Sequence, residues 1–562
     1  MTATLEAPAE AEHPEEAAEP AQPRPVPAAL QQWHDPHPSL GWLSTLVIAI
    51  LAGFTRFWAL GFPPGKFPVP QGPSFGKNFD EVYYATEAQE LLRYGYEDNR
   101  GYMFIVHPPL GKWLIGGSEW LEGVFTGNHT STAYLSNSVG WRIAPAVFGC
   151  LGVIMMTRIV RRMMRSNLFG FIGGLLMALE GMSLVLARTA ILDIFLQTFV
   201  IAAFGALVID RDKMRARLGG LVAEGADLTA GVPTLGPRPW RLVGGVMLGL
   251  ACAVKWTGLF FFVAFILMSL IWDRAALKSA GVRRPARNWA QRAVLPGIGS
   301  LLVAPVGAYL LTYLGWFAGE NSWNRHWADN HGTSAHIKIG LHFFDLSIPV
   351  NWGWVPSPIR SLGAYTFDAF RFHEHLASGH AYASNPWSWL VIGRPVDFYY
   401  DGSATACGSS GGCSREVLLL GTPLMWWAFV PMLLWLAWHW LTTRDWRAGS
   451  VWVAFLAGWV VWLKFGSRTK FLFYMAPLVP FMIIGLVLAM GALLGPALPP
   501  RLPRAYDDEY ERGLRRRYWG IAGISVFLAL VIVDFVWMWP LFTGGLLTTD
   551  EWHAHMWLPS WV

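Results

Sequence analysis

The chain has 562 residues, of which 53% are hydrophobic and only 14% are charged, and it contains 32 tryptophans. Soluble domains carry about 25% charged residues, so this composition excludes an ordinary soluble protein and indicates a polytopic membrane protein. The formal net charge of +5 does not orient the chain, because topology follows Lys and Arg in short loops. Nothing in the composition supports nucleic-acid binding.

The first 38 residues are rich in Ala, Pro and Glu, with almost no large apolar side chains. Such a segment cannot bury enough apolar surface to fold, so we expect residues 1–38 to form a disordered cytoplasmic tail. The tail also lacks the basic n-region and short apolar core of a cleavable signal peptide. We therefore expect the first apolar segment to stay in the chain and to begin one transmembrane domain, residues 39–562.

Eleven apolar segments are predicted to cross the membrane as helices, so the predicted fold class is all-α. A transmembrane helix needs about 20 mainly apolar residues, and runs of about this length recur along the chain. Their ranges are 41–61, 140–160, 168–186, 190–209, 241–254, 256–272, 294–315, 423–441, 449–464, 471–495 and 519–541. The boundary at Lys255 is the weakest, since only a tight turn there separates a short segment from the next.

Basic residues lie in the connections that a cytoplasmic N-terminus would leave inside the cell. Examples are Arg161 and Arg162 after the second segment, Arg283 and Arg284 after the sixth, and 515–517 before the last. Because Lys and Arg accumulate in cytoplasmic loops, we expect a multi-pass protein of the cytoplasmic membrane. Its N-terminus would be cytoplasmic and its C-terminus external.

Two connections are much longer than the rest and are external in this topology. The first large loop covers residues 62–138 and the second large loop covers residues 316–422, and both mix aromatic residues with acids and histidines. Ordered loops of this length usually carry function, so we expect short interfacial helices packed over the membrane. In the second large loop, Cys407 and Cys413 flank a Gly-Ser-rich turn that can close a disulfide in an oxidising compartment.

The first large loop contains two adjacent acids, Asp80 and Glu81. A carboxylate beside a membrane can take a proton from a substrate hydroxyl while the membrane holds a lipid-linked co-substrate. The structural alternative is that the pair only marks a solvated loop end or a helix N-terminus. No third carboxylate or histidine stands at obvious ligand spacing, so we predict no metal site.

Four basic residues gather on the predicted face that also carries these acids: Arg188, Lys255, Arg468 and Lys470. Snorkelling of single side chains at the ends of membrane helices is one explanation. As a set, the four favour an anionic ligand, because Arg and Lys offset the charge of a lipid phosphate where the dielectric is low. Asp193 can pair with Arg188 and orient it.

Several short motifs, in order along the chain, resemble those of protein O-mannosyltransferases of the actinobacterial, mycobacterial-type branch. They are Phe79-Asp80-Glu81 with His107-Pro108-Pro109-Leu110, the Ala187-Arg188 to Asp193 segment, Val254-Lys255-Trp256-Thr257-Gly258, and Ser384-Asn385-Pro386-Trp387-Ser388-Trp389 to Arg394-Pro395-Val396. The resemblance runs from about residue 41 to the C-terminal end. The second large loop is too short for the β-trefoil domain of eukaryotic members, so peptide recognition by that domain is not carried over.

The resemblance implies a GT-C glycosyltransferase, with residues 39–562 as its catalytic domain. Its reaction would transfer mannose, with inversion, from polyprenyl-phosphate mannose to Ser or Thr hydroxyls of exported proteins at the external face. No cofactor is implied, since the lipid-linked donor is a co-substrate. The expected partners are this donor, exported polypeptides, membrane lipids and, by proximity, the Sec translocon.

The resemblance also assigns roles within the site. Asp80 matches the family's catalytic base, and Glu81, the second acid of the site, would position the peptide or stabilise the loop. The four basic residues above would bind the phosphate of the donor. The candidates for lining the groove, or for supporting the residues that do, are Asp193, His107, His380, Tyr382 and Trp387.

Two other functions fit parts of the sequence. Another GT-C enzyme, moving a different sugar to a lipid or glycan, would share the acidic loop and the basic phosphate site, but the 107–112 and 385–389 motifs argue against it. A transporter would also have many spans with intramembrane charges. Against transport, the chain shows no internal repeat with paired broken helices, and its ionisable residues gather at one face.

Overall fold

The computed structural model describes residues 25–64, 76–99, 106–127, 137–229, 231–341, 344–404, 412–466, 468–496 and 507–562. In chain order the helices are α1 (Pro38–Phe57), α2 (Glu81–Tyr94), α3 (Leu110–Phe125), α4 (Ser138–Met164), α5 (Asn167–Ala178), α6 (Gly181–Ala187), α7 (Asp193–Ala223), α8 (Pro239–Val254), α9 (Gly258–Ser279), α10 (Pro285–Leu311), α11 (Leu314–Ala318), α12 (Ser357–His375), α13 (Pro386–Trp389), α14 (Pro423–Thr443), α15 (Trp446–Lys464), α16 (Leu472–Leu494), α17 (Asp507–Thr543) and α18 (Thr549–His555). The strands are β1 (Ser334–Leu341), β2 (Phe344–Asn351), β3 (Val396–Ala404), β4 (Cys413–Leu419) and β5 (Leu546–Thr548).

Nine helices among the described residues are long and apolar enough to cross a membrane: α1, α4, α7, α9, α10, α14, α15, α16 and α17. Helices α5 and α6 are bent by 62° against each other and make a tenth crossing if the pair is one span. Helix α8 has 16 residues, fewer than a typical crossing needs. The predicted multi-pass, mainly helical fold is confirmed, whereas the count of eleven spans stays a prediction.

The centre of the bundle is formed by α7 and α16. Their apolar windows are 89% and 72% buried within the protein, whereas those of α10 and α17 are 22% and 28% buried. A helix that is apolar all round and buried lies in a core, and one that exposes its apolar surface faces lipid. Helix α8 lies very close to α10, because a Cβ atom at Gly245 would collide with the carbonyl oxygen of Ser300.

The bend between α5 and α6 frees backbone groups that lipid cannot satisfy. Glu180, the residue before α6, accepts hydrogen bonds from the backbone N–H groups of Met182 and Ser183 at 3.1 and 2.7 Å. On the other side of the bend, the Arg56 guanidinium donates to the carbonyl oxygen of Ala178 at 2.6 Å. Side chains from α1 and from the bend itself therefore replace the missing helical hydrogen bonds.

Two small antiparallel sheets were not predicted. Strands β1 and β2 form a hairpin, and β3, β4 and β5 form a three-stranded sheet in that order. The second sheet joins the second large loop to the chain that follows α17. Cys413 begins β4 and is 2% exposed, but Cys407 lies outside the described residues, so the disulfide stays a prediction.

The N-terminal segment differs from the prediction in its last residues. Residues 1–24 lie outside the described part of the chain, but Ala28–Leu30 forms a short 3₁₀ helix. Leu30 is 1% exposed and packs in a cluster with Met214 and Leu218 of α7. The packed chain therefore begins before the predicted boundary at residue 38.

Candidate active site

The two acids of the first large loop lie at the N-terminal end of α2, directly after a strained residue. Phe79 has φ +47°, a left-handed conformation that is uncommon for a bulky residue. Its ring stacks on that of Phe398 in the second large loop, with 4.7 Å between centroids. This contact fixes the turn from which Asp80 and Glu81 project.

Glu81 is fully buried and fully bonded. Its carboxylate accepts two hydrogen bonds from the Arg142 guanidinium, from Nε at 2.7 Å and from Nη2 at 2.9 Å. It also accepts from the backbone N–H groups of Asn78 at 2.8 Å and Ala190 at 3.0 Å. This arrangement fits the loop-stabilising role predicted for Glu81 and leaves no oxygen for substrate.

Asp80 is in the opposite situation. It lines a cavity of about 1550 Å³, and its carboxylate has no hydrogen-bond partner among the described residues. Burial raises the pKa of Asp80 from 3.8 to about 6, the nearby Lys255 ammonium opposes this shift, and Asp193 adds to it. An unbonded carboxylate with such a pKa can accept a proton near neutral pH.

Lys255 and Asp193 form a buried ion pair in the wall of the same cavity. The Lys255 ammonium lies 3.0 and 2.8 Å from the two carboxylate oxygens of Asp193, and the two residues are 7% and 2% exposed. The expected pairing of Asp193 with Arg188 is therefore wrong. The turn between α8 and α9 brings Lys255 to the first residue of α7, so the lysine takes the place assigned to the arginine.

Arg188 and Lys470 are not among the residues that line the cavity. Arg188 donates to carbonyl oxygens at the end of α1, of which Trp58 at 2.5 Å is the nearest. Lys470 donates to the carbonyl oxygens of Phe465 and Gly466, just after α15. Both cations satisfy the open carbonyls of a helix C-terminus, which is a structural use that the sequence pattern did not separate from phosphate binding.

Arg468 does line the cavity, together with His107 and His373. Its Nε is buried and has no hydrogen-bond partner among the described residues, while Nη2 lies 3.3 Å from Nδ1 of His373. The imidazole rings of His107 and His373 stack with centroids 4.7 Å apart. A buried, unpaired guanidinium N–H in a cavity is suited to an anionic ligand.

His380, Tyr382 and Trp387 do not line this cavity. His380 packs edge-on against Phe471 with centroids 5.0 Å apart, and the Tyr382 hydroxyl donates to Asp397 at 3.3 Å. Trp387 is 66% exposed. The structure therefore places the three outside this cavity, and their role in lining the groove stays a prediction.

The rest of the cavity is apolar and extends between α9, α10 and α12. Its walls there are Phe260, Phe262, Leu302, Val306, Phe367 and Phe370. Four of these are aromatic, and Phe367 and Phe370 are 57% and 46% exposed. One end of the cavity thus carries the titratable groups, and the other offers a surface suited to a hydrocarbon chain.

Sequence reasoning missed the place of His373 in the site. The run of charged and histidine side chains from Arg371 to His375 is typical of a solvated helix face, but His373 lies in the cavity. Next to the cavity, the Lys112 ammonium is buried between Glu87 at 2.9 Å and Glu97 at 2.6 Å. Among the described residues, no group of three or more His, Cys, Asp or Glu side chains is arranged to hold a metal ion.

Comparison with known proteins gives the fold and the family. The profile described as "Dolichyl-phosphate-mannose-protein mannosyltransferase" matches residues 78–315, and that of the C-terminal four-helix membrane region of protein O-mannosyltransferases matches residues 360–561. The polyprenol-phosphate-mannose–protein mannosyltransferase of Mycolicibacterium smegmatis (strain MKD8) is 38% identical over 533 residues, 93% of each chain. That of Mycobacterium tuberculosis (strain CDC 1551 / Oshkosh) is 37% identical over 528 residues, 93% of this chain and 92% of the relative.

The fold is also that of a solved structure, the Saccharomyces cerevisiae Pmt1–Pmt2 complex bound to the sugar donor. It aligns with a TM-score of 0.66 over 93% of this chain and 92% of that chain, at 15% sequence identity. The fold and the cavity together define a membrane glycosyltransferase of the GT-C fold, as predicted. Within that class, the chain belongs to the protein O-mannosyltransferase family.

Proposed function

We propose that this protein transfers mannose from polyprenyl-phosphate mannose to Ser or Thr hydroxyls of polypeptides, with Asp80 as the general base. The observation that carries the proposal is that two unsatisfied groups of opposite charge line one cavity. These are the unbonded carboxylate of Asp80 and the buried, unpaired Nε of Arg468. The names of the mycobacterial relatives support this donor and a protein acceptor.

The reaction is a single displacement at the anomeric carbon of mannose. The acceptor hydroxyl oxygen forms the new glycosidic bond, the bond from the anomeric carbon to the phosphate oxygen breaks, and the configuration inverts. The hydroxyl proton passes to the Asp80 carboxylate. A serine or threonine hydroxyl is a poor nucleophile, so a base within hydrogen-bond reach is needed as the new bond forms.

The leaving polyprenyl phosphate gains negative charge as the old bond breaks. Arg468 and Lys255 line the cavity with Asp80. Their attraction to the leaving phosphate grows as its negative charge develops toward the transition state. Arg188 and Lys470 have no part in this proposal. The guanidinium of Arg188 and the ammonium of Lys470 donate hydrogen bonds to carbonyl oxygens at helix ends. The apolar part of the cavity receives the polyprenyl chain.

The proposed site of action is the external face of the cytoplasmic membrane. The basic connections support a cytoplasmic N-terminus, which puts both large loops and Asp80 outside. Exported polypeptides would then be the acceptors as they emerge, which favours proximity to the Sec translocon.

The test is an assay of the purified full chain with radiolabelled polyprenyl-phosphate mannose and a Ser/Thr-rich peptide. We expect label on the peptide, and none on a matched peptide in which every Ser and Thr is Ala. Label on a lipid or glycan acceptor instead would identify a different GT-C reaction. Protein that binds donor and transfers no sugar to any acceptor would contradict the proposal and return transport as the alternative.

A further inference from the structure

His373 contacts two groups that belong to different parts of the site. Its Nε2 lies 2.6 Å from the carbonyl oxygen of Val106, in the first large loop. Its Nδ1 lies 3.3 Å from Nη2 of Arg468, beyond α15. The histidine itself lies near the end of α12, in the second large loop, so it links three separate segments at the cavity wall.

These two contacts require one protonation state. A carbonyl oxygen only accepts, so Nε2 must carry the proton that His373 donates to Val106. A guanidinium only donates, so Nδ1 must accept from Arg468 and must carry no proton. The neutral Nε2–H tautomer satisfies both, in keeping with a pKa that burial and the neighbouring Arg468 lower to about 4.

The contact with His373 also restricts the direction of Arg468. The guanidinium lies over the rings of Trp462 and Tyr474, at 5.2 and 5.7 Å from their centroids, and aromatic faces alone allow it to slide and rotate. A hydrogen-bond acceptor at Nη2 fixes its orientation in the plane. With Nη2 held, the guanidinium keeps one place in the cavity wall.

We propose that His373 is a positioning residue of the donor site, holding the Arg468 guanidinium so that this group meets the phosphate of the lipid-linked sugar. The inference rests on the proposed function and adds a residue to it. His373 does not touch the reacting atoms. It acts on donor binding through Arg468, and it makes that binding depend on where α12 sits.

Two substitutions separate this role from a merely structural one, because each keeps one of the two hydrogen bonds. His373→Asn offers an amide oxygen near the place of Nδ1 and can still accept from Arg468, but it loses Val106. His373→Gln offers an amide N–H near the place of Nε2 and can still bond Val106, but it loses Arg468. His375→Ala is the matched control, since His375 is exposed and its one hydrogen bond among the described residues is within its own helix, to Arg371.

The measurement is the donor KM and kcat of the four proteins in the mannose-transfer assay. We expect His373→Gln to raise the donor KM about tenfold, the usual effect of losing one charge-assisted hydrogen bond. His373→Asn should stay within about threefold of wild type, and His375→Ala should match wild type. In an Arg468→Ala background, His373→Gln should have no further effect on donor KM, because the residue through which it acts is gone.

Three results would overturn the inference. The first is an Asn variant no better than the Gln variant, which would assign the role of His373 to Val106 or to packing. The second is that both variants behave like His375→Ala. The third is an equal effect of His373→Gln with and without Arg468. A wild-type protein that transfers no mannose would instead refute the proposed function, so the two failures are distinguishable.

Discussion

Asp80 and Glu81 are adjacent acids with opposite environments. The backbone turn at Phe79 directs Glu81 inward to Arg142 and leaves Asp80 at the cavity. A carboxylate that accepts four hydrogen bonds has no free lone pair for substrate, whereas one without partners is available for a proton. Only the family resemblance separates the two roles in the sequence, with Asp80 as the expected base and Glu81 as the expected loop-stabilising residue, since neither spacing nor composition distinguishes two adjacent acids.

Glu81→Gln should reduce stability more than Asp80→Asn does. The amide keeps the size of the side chain but leaves the Arg142 guanidinium, 1% exposed, without its counter-charge. Breaking a buried ion pair from one side costs about 3–5 kcal/mol. Thermal unfolding of the two purified variants in one detergent measures the difference. A Glu81→Gln protein that unfolds at the wild-type temperature would contradict the structural role.

The pH dependence of transfer should report Asp80. A base works only when deprotonated, so with a pKa of about 6 activity should be constant above that pH. It should fall about tenfold per unit as the pH drops below it. Burial lowers the pKa of His107 and lowers that of His373 to about 4, so His373 adds no step near pH 6. A profile of kcat/KM against pH that stays flat down to about pH 4, the range of an ordinary aspartate, would contradict the assignment.

Two of the four basic residues predicted to bind the phosphate bond to helix ends instead. The last carbonyl groups of a helix have no partner within it, and a cation near a helix C-terminus also interacts favourably with the dipole. Arg188 serves α1 in this way and Lys470 serves the end of α15. Arg and Lys side chains on this face suit both a helix C-terminus and a phosphate ligand. The placement of charges in the sequence therefore could not separate the two roles.

Arg468→Ala and Lys470→Ala should therefore differ in kind, although the residues are two positions apart. Loss of Arg468 should raise the donor KM and lower kcat about 10²–10³-fold, as for removal of a donor that stabilises developing charge. Loss of Lys470 should lower the unfolding temperature with little change in donor KM. Steady-state kinetics and thermal unfolding of both variants provide the comparison. A larger donor effect from Lys470→Ala would restore the original four-cation site.

The helical periodicity of α12 separates His373 from its exposed neighbours. Arg371 and His375 are four residues apart and share one face of the helix, and both are exposed. His373 is two residues from each, about 200° around the axis, so it points the other way. Helical spacing could have separated it from the solvated face, but the partners that it meets there come from distant parts of the chain.

At the scale of the whole molecule, the two large loops pack against each other beside the site. Lys112 of the first loop is buried between Glu87 and Glu97, and the hydroxyl of Tyr365 from the second loop donates to Glu97 at 3.0 Å. Hydropathy located the membrane segments because lipid demands long apolar runs. It carried no information on these contacts, nor on the pairing of β4 with β5, which joins residues more than 130 positions apart.

Topology is testable with single cysteines in a chain whose native cysteines are replaced. Gly332→Cys lies in the second large loop, where a Cβ meets nothing within 4 Å, and Ala286→Cys lies exposed at the start of α10. In intact cells, a membrane-impermeant thiol reagent should label the first and should reach the second only after the membrane is opened. Labelling of Ala286→Cys in sealed cells would place Asp80 on the cytoplasmic side and contradict action on exported acceptors.

The central claim is that the Asp80 carboxylate takes the proton of the acceptor hydroxyl. The most direct test is the rate of mannose transfer to peptide by Asp80→Asn, with donor binding measured on the same protein and Asp329→Asn, an exposed acid of the second large loop, as the matched control. The amide keeps the shape and removes the base, so turnover should fall about 10²–10⁴-fold while donor affinity and the control stay at wild-type values. An Asp80→Asn protein that transfers mannose at a near-normal rate would contradict the account.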